Sequence, residues 1–183
     1  MIKKDKYNID KSLVKASFDL CFLKYQNMIF HVLNRLGFTI SESPKMTNSI
    51  ECMMEKSHIL SIVFNNDKKI NFDYWIGSNR ILPNINPNTL YILNYDTYSY
   101  LYNNENHIFY STTNNCNCYI SYIHSELNIN ILSIIYNGNK YELVSNTKDN
   151  VYFELILVLI CFLNNLGYDC NTIIKAISTY VKK

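Results

Sequence analysis

Four side chains in the second half of the chain carry metal-ligand chemistry. His107, Cys116, Cys118 and His124 offer two imidazoles and two thiols, enough for a tetrahedral zinc shell. Their spacing, His-x8-Cys-x-Cys-x5-His, departs from the Cys-x2-Cys knuckle that most such sites use. Read as a strand, the segment puts Cys116 and Cys118 on one face, joined by His124 if the strand is regular. A zinc-stabilised module is therefore a minor reading. The first expectation is that the thiols are small buried hydrophobes, with no metal and no cofactor bound.

Proton transfer has one candidate pair. Glu126 follows His124 by two, so a strand would place both on one face. Such a pair can pass a proton, and it can equally form a salt bridge. Nucleophilic catalysis has less to build on. Cys52 and His58 are six apart, too far to touch on either a strand or a helix. Glycine occurs only at 37, 77, 138 and 167, which leaves no nucleophile elbow and no glycine-rich phosphate loop. The stretch Trp75 to Arg80, WIGSNR, is the best place for a backbone anion site. Its Gly-Ser-Asn core is also what an ordinary turn uses.

Tyrosine is abundant, and Tyr95, Tyr98, Tyr100 and Tyr102 crowd the centre of the chain. With Trp75 and Arg80 they make the candidate binding surface, since large amphipathic rings suit protein interfaces. Base stacking would need interleaved basic residues. The net charge of +2, without a basic run, argues against nucleic acid as partner.

The elements that must position these groups are legible in outline. Apolar positions 14, 18, 21, 22, 25, 28, 29, 32, 33 and 36 predict a long N-terminal helix opened by Asp10 or Ser12. Gly37 and Phe38 would close it as a left-handed cap. The alternation in ILSIVFNNDKKINFDYW predicts a hairpin. Asn137-Gly138 predicts a second one with a tight type I′ turn. Between them, Asn86 and Pro87 favour a short helix within 87–103. Asp149 or Asn150 opens a very apolar helix ended by Gly167 and Tyr168, and Asp169 opens the last one. The echo of LNRLGF in LNNLGY is one helix-stop motif used twice.

The expected fold is therefore α+β: an antiparallel sheet with a long N-terminal helix and two C-terminal helices packed on it. Residues 1–9 would be a flexible tail and 10–183 a single domain. With 48% hydrophobic residues such a chain can bury a core. The apolar run Leu155 to Leu163 is too short to span a membrane, and extending it back to Val151 admits Glu154. Six cysteines without a signal sequence point to free thiols in the cytoplasm. The skew towards Asn, Ile, Tyr and Lys suggests an AT-rich genome, viral or bacterial. The functional expectation is a non-enzymatic protein that binds another macromolecule in an accessory, chaperone-like, immunity or inhibitor role. The near-uniformly apolar helix adds a protein partner or homodimer. The alternative is a small enzyme acting on a nucleotide or peptide through His124 and Glu126.

Overall fold

The computed structural model describes residues 13–40, 49–53, 59–64, 71–79, 82, 85–102, 104–127 and 129–180. The expected tail and Arg80 lie outside them. Ten strands form one sheet: β1 (Leu13–Phe18), β2 (Thr39–Ile40), β3 (Ser49–Met53), β4 (Ile59–Phe64), β5 (Tyr74–Gly77), β6 (Leu90–Asn94), β7 (His107–Ser111), β8 (Cys118–Glu126), β9 (Ile129–Tyr136) and β10 (Asn139–Ser145). The helices are α1 (Gln26–Arg35), α2 (Tyr95–Tyr98), α3 (Asn150–Asn165) and α4 (Cys170–Ser178).

The strand order is β10-β9-β8-β7-β6-β5-β1-β4-β3-β2. The six strands from β4 to β8 in that order run parallel, and antiparallel strands extend both edges. This corrects the antiparallel α+β expectation. The short runs YWIG, LYILN and HIFYS are buried along their whole length. Strands covered on both faces have no reason to alternate, so these runs were the sequence signal of a parallel sheet.

Two specific misreadings explain the rest of the difference. The predicted N-terminal helix begins as strand β1, whose Val14, Ala16 and Phe18 are buried. Positions 14 and 18 satisfy both a period of two and a spacing of four, so the stripe was ambiguous where it mattered. The helical part starts only after Asp19, whose carboxylate accepts from Cys21 N and opens a 3-10 helix, Leu20–Tyr25, that runs into α1. The predicted first hairpin does not exist either. β4 and β5 are both strands, but β1 lies between them and pairs in parallel with each.

Local signals held where the chain itself closes the structure. Asn137 and Gly138 take positive φ at the β9–β10 turn, pairing Tyr136 with Asn139. Gly37 and Gly167 also have positive φ. After α1, Phe38 N donates to Leu33 O and Gly37 N to Asn34 O. After α3, Tyr168 N donates to Leu163 O and Gly167 N to Asn164 O. Both ends are Schellman caps, and their aromatic residues meet, with the Phe38 and Tyr168 rings 5.5 Å apart.

One face of the sheet is covered by α1, α3 and α4 over a large apolar core. The opposite face carries a smaller aromatic core of Phe72, Trp75, Tyr91, Leu93, Tyr98 and Phe109. There the cover is α2 and the 3-10 turn Ser99–Leu101, on the crossover from β6 to β7. Gly77 is required by that packing: a Cβ there would lie 2.4 Å from Trp75 Cζ3 and 2.7 Å from Cη2. Gly77→Ala is expected to destabilise the fold by about 1–3 kcal/mol through overpacking, read as a lower urea midpoint with an altered Trp75 near-ultraviolet signal.

Helix α3 brings the chain back from the β10 edge to the middle of the sheet. Its N-cap Asp149 accepts from Val151 N at 2.9 Å, from Lys24 Nζ at 2.7 Å and from Tyr25 OH at 2.5 Å. Burial alone would push this carboxyl up, but the donors outweigh it and hold it at about 2. Among the described residues no helix is long and apolar enough to cross a membrane.

Candidate functional site

In a doubly wound sheet the chain leaves the first strand in one direction and later returns to its other side. The crevice outside the carboxyl ends of the strands, at that parting, is the usual ligand seat. Here the parting lies between β1 and β5. The residues that follow each strand meet at this edge: Asp19 after β1, Ser78 and Asn79 after β5, Asp96 just after β6, Thr113 and Asn114 after β7.

Asp19 is 6% exposed. Its Oδ1 accepts from Cys21 N at 3.2 Å. Its Oδ2 accepts from Ser78 N at 3.2 Å and Asn79 N at 3.1 Å. Converging backbone N–H groups of this kind form an anion seat, and the chain's own carboxylate already fills it. WIGSNR thus does hold an anion through its backbone, but the anion is internal.

The second carboxylate is Glu154, the only charged residue of α3. Its Oε2 accepts from Ser78 Oγ at 2.5 Å and from Tyr110 OH at 3.3 Å. Tyr110 OH also lies 3.3 Å from Gly77 O. Glu154 is partly exposed, and its Oε1 takes no hydrogen bond among the described residues. The groups around the two acids are held protonated. Burial, then the charges of Asp19 and Glu154, push the Cys21 thiol up to about 12. Burial and Glu154 raise Tyr110 well above the ordinary phenol range. This setting disfavours the Cys21 thiolate.

Further along the edge, Asp96 accepts from Ser111 Oγ, Thr113 Oγ1 and Asn114 Nδ2. Ser111 Oγ in turn accepts from Thr113 N and Asn114 N. This cluster is internally satisfied and serves to pin α2 to the end of β7.

The residues singled out from the sequence lie elsewhere. Trp75 and Tyr98 are buried in the aromatic core, their rings 6.4 Å apart. Tyr95 is half-buried against Tyr102 and Phe109. Tyr100 and Tyr102 are exposed. These tyrosines belong to the crossover on the face away from the large helices and do not line the crevice. His124 and Glu126 form an exposed pair, Nε2 to Oε2 3.6 Å. They sit on the part of β8 that overhangs β7, because β7 pairs only with the first two residues of β8.

The metal quartet is scattered for a stated reason. A bulge between Ile120 and Tyr122 shifts the β8–β9 register, so Cys118 and His124 face opposite sides. Cys118 joins the large core, whereas Cys116 packs on the aromatic one. Among the described residues no group of three or more His, Cys, Asp or Glu could hold a metal ion. Glu154 was visible in the sequence as the one charge at the margin of the most apolar run. Asp19 caps its own 3-10 helix, but its role at this edge comes from a contact 59 residues away in sequence.

No protein-family profile and no curated protein matches the chain. Its fold does match solved structures. UDP-N-acetylmuramate-alanine ligase MurC of Thermotoga maritima superposes with a TM-score of 0.62 at 14% identity, over 93% of this chain and 45% of that one. MurF of Acinetobacter baumannii gives 0.66 at 9% identity, over 100% and 49%. A UDP-N-acetylmuramoyl-L-alanyl-D-glutamate–2,6-diaminopimelate ligase gives 0.63 at 12%, over 94% and 47%. The chain spans about half the length of these ligases, and at such identities the likeness is one of fold. It corrects the expectation of a non-enzymatic binding protein, since the fold is one that enzymes use. It lends nothing to a viral, AT-rich or protein-interaction reading.

Proposed function

We propose that the chain is an α/β domain of ligase-type architecture that holds an amine-bearing small molecule at its carboxyl edge, with Glu154 as the acceptor. The observation that carries this reading is Glu154 itself. A helix with no other charged residue projects one carboxylate towards the parting of β1 and β5, and its Oε1 has no hydrogen-bond partner among the described residues. A carboxylate oxygen left open in this way favours a donor that carries charge.

The same edge disfavours phosphate. Asp19 occupies the backbone N–H groups an incoming anion would need, and two carboxylates would repel it. Lys24, which follows β1, is engaged by Asp149. An amine is also in keeping with the ligases that share the fold, whose names specify alanine and 2,6-diaminopimelate.

Titration of isotope-labelled protein with ethylamine, alanine and inorganic phosphate tests the proposal. The amines are expected to shift the amide signals of Cys21, Ser78 and Asn79. Glu154→Gln should weaken that binding roughly 10- to 100-fold, as expected for loss of one hydrogen bond to a charged group. Shifts at these amides with phosphate and none with amines would overturn it.

A further inference from the structure

On the opposite face of the sheet, and beyond the ligand reading above, we infer that His107 is an acid-sensitive latch for the crossover that covers the aromatic core. His107 opens β7 and is 7% exposed. Its Nδ1–H donates to Leu101 O at 3.3 Å. Its Nε2 is buried with no hydrogen-bond partner among the described residues. The ring stands edge-on to Tyr91, 5.1 Å between centroids, and to Phe109 at 6.1 Å. Backbone bonds converge on the same point: His107 N donates to Asn104 O, Asn104 N to Leu101 O, and Tyr102 N to Ser99 O.

The neutral ring suits this setting, because an unprotonated Nε2 among rings forfeits one acceptor bond. A protonated ring would bring a charged N–H into the same apolar place with nothing to receive it, a far larger cost. Opening the crossover lets that N–H reach water. Among the described residues, the groups in contact with the His107 ring supply no compensating charge. Tyr91 on β6 carries a phenol and Phe109 on β7 is apolar; Tyr102 packs on Phe109, and burial pushes the Cys116 thiol at the same aromatic core up to about 12. Glu105, two residues upstream, is exposed.

Burial lowers the proton affinity of the folded ring below the ordinary imidazole value of 6.5, and the Leu101 carbonyl offsets this only in part. The opened form therefore holds the extra proton below pH 6.5. As pH falls through the window between 6.5 and the folded value, the open fraction should rise about tenfold per pH unit. Above 6.5 both forms are neutral and the latch stays closed.

The chain's one tryptophan, Trp75, lies under this crossover against Tyr98 and serves as the reporter. In the full chain, acrylamide quenching of Trp75 should rise as pH drops from about 7.5 to about 5 while far-ultraviolet dichroism stays constant, following the single-proton slope. His107→Gln, which keeps a donor for Leu101 O and does not titrate, should give a flat profile. An NMR titration of the wild-type His107 ring adds a measurement independent of the variant. A depressed midpoint matching the Trp75 transition supports the latch. It is overturned by a flat wild-type profile, by the same transition surviving in His107→Gln, or by a ring that titrates near 6.5.

Discussion

Asp19→Ala is expected to lower the stability of the fold by about 2–4 kcal/mol. Two costs add. The 3-10 helix loses its N-cap, a change worth about 1 kcal/mol. Ser78 N, inside a buried residue, loses its acceptor, and an orphaned buried donor costs about 1–3 kcal/mol. Asn79 is exposed, so its N–H can turn to water and adds little. Asp19→Asn keeps one acceptor oxygen and should lose roughly half as much. Urea denaturation of both variants checks the order. If Asp19→Ala proves as stable as wild type, the two strand ends are not held by this carboxylate, and the site as described loses its frame.

Phe162→Ala should cost more, about 3–5 kcal/mol, the range for removing a fully buried aromatic ring. Phe162 is 0% exposed. Its ring meets Phe18 edge-on at 5.4 Å and Tyr74 at 5.1 Å. It thus couples α3 to β1 and β5. A loss of stability at unchanged denaturant slope would show a local cavity in an intact fold. Tyr100→Ala is the matched control: the side chain is 73% exposed, and a change within about 0.5 kcal/mol is expected. A similar loss from both substitutions would contradict the division into core and surface given above.

The candidate site was far less legible than the helix ends. Glu154 was met in the sequence only as the charge that interrupts the apolar run of its helix. Its partners, Ser78 just after β5 and Tyr110 on β7, were legible as parts of a turn and a strand but not as neighbours. WIGSNR was legible as a place where backbone N–H groups could gather. The anion they receive was not, since Asp19 reaches them only once β5 lies beside β1. His124 and Glu126 were the more conspicuous pair, and the overhang of β8 left them in solvent. Trp75 and Tyr98, read as a binding surface, became core because the second face of the sheet had no large helix to cover it. Their own rings supplied the apolar layer instead.

By itself the sequence determined what a few consecutive residues can decide. Gly37 and Gly167 end helices because only an unhindered residue takes positive φ cheaply, and Phe38 and Tyr168 close those caps. Asn137-Gly138 makes its hairpin for the same steric reason. The tertiary structure alone decided that β1 lies between β4 and β5, that six strands run parallel, and that a bulge at Ser121 turns His124 away from Cys118. Alternation records which face of a strand is buried; it carries no information about which strand lies alongside. That choice belongs to the burial of the whole sheet, and with it came the meeting of Asp19, Ser78 and Glu154 at one edge.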